Sequence, residues 1–198
     1  MSRRGQRGVT FVEVVMSVAI TAILLTIAVQ SVSFYQRHEL RSASKQLLGE
    51  LQRVRFNAMT KRTPDSAGPP LIRSHGFGFQ LVGTAPQYTG YQTFEFNDCN
   101  NNYQYDVAGC SGGTERLVLV WGFNFPPSVF VSLNGPAPGD ANLVLYDELG
   151  LPRASTWALG GRTYLLAHAH LDSGAPSRCI AISTTRIREG GWNGTDCL

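Results

Sequence analysis

The chain has 198 residues, only 16% of them charged, and Gly (21) with Pro (10) makes up about a sixth of it. That length accommodates one ordinary domain plus a long helix, and the Gly and Pro content suits a loop-rich β domain. Of 17 basic side chains, Arg3, Arg4 and Arg7 lie in the first eight residues, so the rest of the chain holds 14 basic against 14 acidic groups. The net charge of +3 is therefore a property of that short leader, which excludes a general electrostatic pull on nucleic acid.

From Phe11 to Val29, nineteen residues carry one charge, Glu13, and no Gly or Pro. At ~1.5 Å per residue this spans about 28 Å as a helix, close to the ~30 Å hydrocarbon core of a bilayer. The arginines before it predict a cytoplasmic N-terminus and an exported remainder. No Ala-x-Ala-like cleavage site follows the run, so the apolar stretch is expected to be retained. Glu13 is anomalous. A carboxylate within an apolar membrane helix costs roughly 2.5–3.5 kcal/mol and marks a functional site unless it snorkels into water.

Beyond Tyr35, apolar residues recur at Leu40, Ala43, Leu47, Leu51, Val54 and Ala58, in steps of three and four. This is the stripe of an amphipathic helix. Gly49 is its one interior breaker, and Thr63-Pro64 ends it. One helix over residues 10–62 would be roughly 80 Å long at ~1.5 Å per residue; two separate helices, parted near Ser31–Ser33, are the alternative.

From Pro64 onward the pattern changes to short β-rich runs. Strands are predicted at Ser74–Leu81, Gln92–Phe96, Leu117–Phe123, Ser128–Leu133, Asn142–Tyr146, Thr163–His170 and Arg178–Ser183, separated by Gly, Pro, Asn and Asp clusters. The spacing argues for a sandwich or curled antiparallel sheets, whose apolar face the helix stripe would cover. The fold class is thus α+β, a long N-terminal helix packed on an antiparallel β domain. The expected division is a leader over 1–8, a helix over 9–62 with 9–30 in the membrane, and an exported β domain over 63–198.

Four cysteines, Cys99, Cys110, Cys179 and Cys197, all lie in the part expected to be exported, where disulfides persist. Four cysteines allow three pairings; the two local ones, Cys99–Cys110 and Cys179–Cys197, are favoured. No Cys-x-x-Cys zinc pattern occurs.

Several other groups carry chemistry on paper. Asp98, Asn100, Asn102 and Asp106 alternate oxygen ligands as a calcium loop would. The sixth and twelfth positions, however, hold Tyr103 and Gly109 rather than Gly and Glu. An Asx-turn loop stapled by Cys99–Cys110 is the preferred reading, with calcium as the lesser one and no other cofactor expected. His168, His170 and Asp172 would share one face of a strand and present metal-ligand types; without a fourth ligand, a solvated strand face is preferred. Arg186 and Arg188 follow the last strand, and a solvated turn is preferred there over phosphate contact. No Ser, Asp or His sits in a nucleophile motif, so no catalytic residue is assigned and an enzyme is not expected.

Gly8 followed by Val9-Thr-Phe-Val-Glu13 resembles the class III signal of type IV pilins and pseudopilins. The resemblance implies cleavage by a prepilin peptidase between Gly8 and Val9 and N-methylation of Val9. It also implies docking of subunits through Glu13, the fifth mature residue, onto a neighbour's N-terminal amine. The family's usual first mature residue is Phe, and Val9 departs from that. The helix end, Leu47-x3-Leu51-x-x-Val-Arg55-x-x-Ala58, is similar to that of the GspH/FimT group of minor pseudopilins. So are Phe96 through Asp106, Leu143 through Gly150 and Cys179 through Arg188, in looser and shorter matches. The resemblance implies partners: other pilins, the prepilin peptidase, an inner-membrane assembly platform and the cytoplasmic membrane. It implies a single-pass inner-membrane subunit, found in a type IV pilus or type II secretion pseudopilus after assembly. In DNA-binding minor pilins of this kind a Gly-Arg-x-Arg motif contacts DNA; here Thr185 replaces the glycine before Arg186 and Arg188. A major filament subunit is a further alternative, although the proline that kinks many major pilins is absent between Val9 and Thr63.

Overall fold

A computed structural model describes residues 10–61, 75–97, 105, 116–134, 142–171 and 174–198. One helix, α1, spans Phe11–Thr60. Its sequence lacks proline, and its single glycine, Gly49, faces open space, so the missing Cβ weakens helix propensity without serving packing. By packing, the chain forms two compact units, Met1–His38 and Glu39–Leu198. The division falls inside α1 because the helix changes character there. Val12, Val15, Val18, Ile20, Ile23, Leu24 and Ile27 are all exposed. Leu40, Ala43, Leu47, Leu51, Val54 and Ala58, the predicted stripe, are all buried.

In the second unit that stripe covers one face of a nine-stranded sheet among the described residues. The strands are β1 (His75–Thr84), β2 (Gln87–Asn97), β3 (Arg116–Asn124), β4 (Val129–Asn134), β5 (Leu143–Tyr146), β6 (Pro152–Arg153), β7 (Arg162–His168), β8 (Arg178–Ile182) and β9 (Ile187–Gly191). Their order is β6-β5-β1-β2-β4-β7-β8-β9, with β3 pairing off this path onto β2. Every pairing is antiparallel. The long β2 serves two partners in succession: Tyr88 pairs Val131 of β4, whereas Gly90 through Phe96 pair β3.

All seven predicted strands are present, in one sheet rather than a two-sheet sandwich. Its helix-side face carries Phe77, Phe79, Leu81, Tyr91, Val129, Val131, Val144, Tyr146, Tyr164, Leu166 and Ile180. Alternate residues point the other way, and that second face is also covered. Phe94, Phe96, Leu143 and Leu145 pack with Tyr105 and the half-buried Trp157. Leu165 and Cys179 pack with Cys197 and Trp192 of the C-terminal segment. Coverage on both faces explains why β5 and β7 read as continuous apolar runs rather than alternating ones.

Two strands differ from expectation. β6 has only two residues, too short for a pattern. β9, Ile-Arg-Glu-Gly-Gly, has one apolar residue; it forms because β8 templates it from Ile182↔Ile187 to Arg178↔Gly191. β7 also stops at His168, two residues earlier than predicted, because the chain turns there: Leu171 N–H donates to the His168 carbonyl at 3.0 Å. Within the β5–β6 turn, Gly150 adopts φ 71°, and a Cβ there would meet the Met59 side chain at 2.8 Å from Sδ. Glycine adopts this φ without strain, and any other residue would also have to displace the Met59 side chain at the end of α1.

Candidate functional site

The first turn of α1 is built by Thr10. Its carbonyl accepts from Glu13 N–H at 3.0 Å and Val14 N–H at 3.2 Å, and its Oγ1 accepts from Glu13 N–H at 3.4 Å. Thr10 is the N-cap and Glu13 the third helical residue, the Thr-x-x-Glu spacing of a capping box. The spacing is a helix-start signature of the sequence, and it places the charge of Glu13 in the first turn rather than deeper in the apolar run. A carboxylate in the first turn is favoured by the unpaired N–H groups at the helix start.

The other polar side chains of residues 11–27 are satisfied within the helix. Ser17 Oγ donates to the Glu13 carbonyl at 2.8 Å, Thr21 Oγ1 to Ser17 at 2.7 Å and Thr26 Oγ1 to Ile23 at 2.7 Å. Hydroxyls bonded to their own helix backbone are compatible with an apolar surrounding. The Glu13 carboxylate is exposed and has no side-chain partner among the described residues. It is the one polar side chain of this stretch that makes no side-chain hydrogen bond among the described residues.

Other predicted residues lie elsewhere. Gly8, Val9, Cys99, Cys110, Asp98, Asn100, Asn102, Asp106 and Asp172 fall outside the described residues. Cys179 and Cys197 form a disulfide, with Cα atoms 5.7 Å apart, that fixes the C-terminal segment to β8. Arg186 lies in the exposed β8–β9 turn, where Ser183 and Arg186 bond each other through backbone and hydroxyl. Arg188, expected in a turn, stands on β9 opposite Ala181 and is exposed. Glu189 does not neutralise it, since its carboxylate pairs with Arg178 at 2.6 Å.

His168 and His170 do not form a solvated strand face. His168 is 1% exposed, and its neighbour His170 has left the strand. His170 N–H donates to His168 Nδ1 at 3.2 Å, which leaves the proton of the neutral ring on Nε2. Nε2 then donates to Glu39 Oε2 at 3.1 Å, and the same oxygen accepts from Ser128 Oγ at 3.0 Å. Both ring nitrogens are occupied, so neither is free to bind a metal. Serine and histidine meet on one carboxylate oxygen rather than on each other, which is not a nucleophile–base pair. The cluster clasps α1 to the start of β4 and the end of β7. Among the described residues no group of three His, Cys, Asp or Glu side chains is placed to hold a metal.

Beneath α1 the sheet buries three tyrosines. Desolvation, reinforced by the Glu50 charge, pushes the Tyr91 hydroxyl up to about 12. Burial raises Tyr146 and Tyr164 as well, and neither hydroxyl has a hydrogen-bond partner among the described residues. These are properties of a packed core.

Residues 3–29 match a family model described as the prokaryotic N-terminal methylation motif. No curated protein and no solved structure matches the chain. The matched segment contains the capped first turn, Glu13 and the whole apolar stretch to Val29. It supports a type IV pilin-like protein, a structural subunit that assembles with other pilins and is processed by a prepilin peptidase. The motif and the apolar helix fit anchoring in the inner membrane.

Proposed function

We propose that the chain is a minor pilin or pseudopilin of GspH/FimT type, made as a prepilin with its β domain outside the cytoplasmic membrane. Cleavage between Gly8 and Val9 and N-methylation of Val9 leave Glu13 as the fifth residue of the mature subunit. The first part of α1 then packs with the corresponding helices of other subunits in a type IV pilus or type II secretion pseudopilus. Glu13 pairs with a neighbour's N-terminal amine. In a low-dielectric surrounding that pairing offsets the desolvation of both charges, sets axial register and favours extraction of the subunit from lipid.

One observation carries this reading. Among the polar side chains of the apolar stretch, Ser17, Thr21 and Thr26 bond the helix backbone, whereas the Glu13 carboxylate has no side-chain partner among the described residues. The test is incorporation. Glu13→Ala is expected to be cleaved normally yet to be nearly lost from purified filaments, with domain stability unchanged. Normal incorporation of that variant contradicts the pairing. Mass spectrometry of the mature chain checks the cleavage; a chain beginning at Met1 in peptidase-positive cells refutes it. Subunit counting in filaments separates a minor from a major role.

A second reading, local DNA contact, draws on the exposed Arg186 and Arg188 and on the diversion of Glu189 to Arg178. It expects a salt-dependent DNA mobility shift that Arg186→Ala with Arg188→Ala abolishes; equal retention of DNA by that variant sinks it.

A further inference from the structure

Phe34 and Tyr35 are 73% and 68% exposed, large rings in a part of α1 that, Val32 apart, is otherwise polar. The apolar run ends at Val29, and Gln30-Ser31-Val32-Ser33 intervenes before the rings. They contribute nothing to any hydrophobic core cluster among the described residues. Arg37 lies one turn beyond Phe34 on the same face, and His38 one turn beyond Tyr35; both are exposed and neither forms an ion pair among the described residues.

The spacing identifies what covers the rings. From Phe11 to Phe34 the helix rises about 35 Å at ~1.5 Å per residue. That exceeds the ~30 Å hydrocarbon core but stays within the ~40–45 Å that includes both headgroup layers. With Phe11 at the cytoplasmic boundary, Phe34 and Tyr35 fall in the opposite headgroup layer. Amphipathic rings concentrate at that level, and a basic side chain one turn further out reaches lipid phosphate. Arg37 stands on the flank where the positive-inside bias disfavours arginine, so its charge calls for a partner there.

We infer that Phe34, Tyr35, Arg37 and His38 form an interfacial anchor that seats in the phospholipid headgroup layer on the exported side and fixes the depth of the unassembled subunit. This rests on the membrane-anchored reading above. The two are tested separately in full-length protein reconstituted into phosphatidylcholine–phosphatidylglycerol vesicles. Tyr35→Trp and, as a control, Ile20→Trp are compared with the unsubstituted chain, whose three tryptophans supply the background. The lipids carry bromine either just below the headgroup or near the chain ends. Ile20→Trp is expected to gain quenching from deep bromines, and Tyr35→Trp to gain it from shallow bromines, with blue-shifted emission. A quenched Ile20→Trp beside an unquenched, water-like Tyr35→Trp overturns the anchor alone and leaves the rings for a neighbouring subunit in the filament. Deep rather than shallow quenching of Tyr35→Trp also overturns it. No quenching at either position overturns the membrane reading and the anchor with it.

Discussion

Residues 11–27 and 40–58 of α1 are both rich in aliphatic side chains, yet their surroundings are opposite. Along the first stretch every side chain is exposed, on all sides of the helix. Along the second, Leu40, Ala43, Leu47, Leu51, Val54 and Ala58 are buried, while Arg41, Ser42, Lys45 and Gln52 stay exposed. A helix that is apolar all round needs an apolar medium, whether lipid or other helices. One that is apolar along a stripe needs a single partner surface, and the sheet is that surface. Changes in the first stretch should therefore affect membrane residence and assembly, and changes in the second should affect folding.

The strongest way to break that comparison is a pair of truncations. Leu51→Ala, at a fully buried position, is expected to destabilise the β domain by about 2–5 kcal/mol in denaturant unfolding. Leu24→Ala, at an exposed one, should leave that transition unmoved. Equal effects would mean that the two stretches do not differ in kind.

A smaller effect is expected at the start of the domain-side stretch. Glu39→Ala would strand a buried His168 N–H and the Ser128 hydroxyl, at a cost of about 1–3 kcal/mol. Glu39→Gln keeps an acceptor and should recover most of the loss in the same measurement. The tyrosines beneath the helix add a pH dependence. Their folded values lie above the ordinary ~10 of an unfolded chain. The stabilising contribution is thus fully present below pH ~10 and declines as pH rises toward the folded values, about 12 for Tyr91. Tyr146→Phe, which removes a buried hydroxyl without a partner among the described residues, should shift alkaline unfolding to higher pH at little cost near neutrality. Smallest is Gly49→Ala. With open space at the Cβ position, it should stabilise the domain by up to about 1 kcal/mol, read as a raised midpoint of unfolding.

Much of this was legible before any coordinates. The stripe from Leu40 to Ala58 is a repeat of three and four, a local property of helix geometry. The seven strands stand out as β-branched and aromatic runs between turn residues. The Cys179–Cys197 bridge joins the nearer partners. The Thr10-x-x-Glu13 spacing is a helix-start signal of the same local kind. By contrast, β9 has almost no strand signal of its own, and the alternation of His168, His170 and Asp172 points to a solvated strand face that the buried His168 does not join.

By itself, then, the sequence determined what depends on neighbours along the chain: a basic N-terminal stretch, an apolar span with one carboxylate, an amphipathic continuation and an antiparallel β domain. Only the tertiary structure decided what depends on residues far apart. It closed one sheet rather than two, because Tyr105, Trp157 and the C-terminal segment cover its second face. It turned His168 inward, because Glu39, distant in sequence and itself held by Ser128, takes one ring nitrogen while the backbone N–H of His170 occupies the other. The Glu39–His168 contact spans 129 residues of sequence, and no local pattern encodes it.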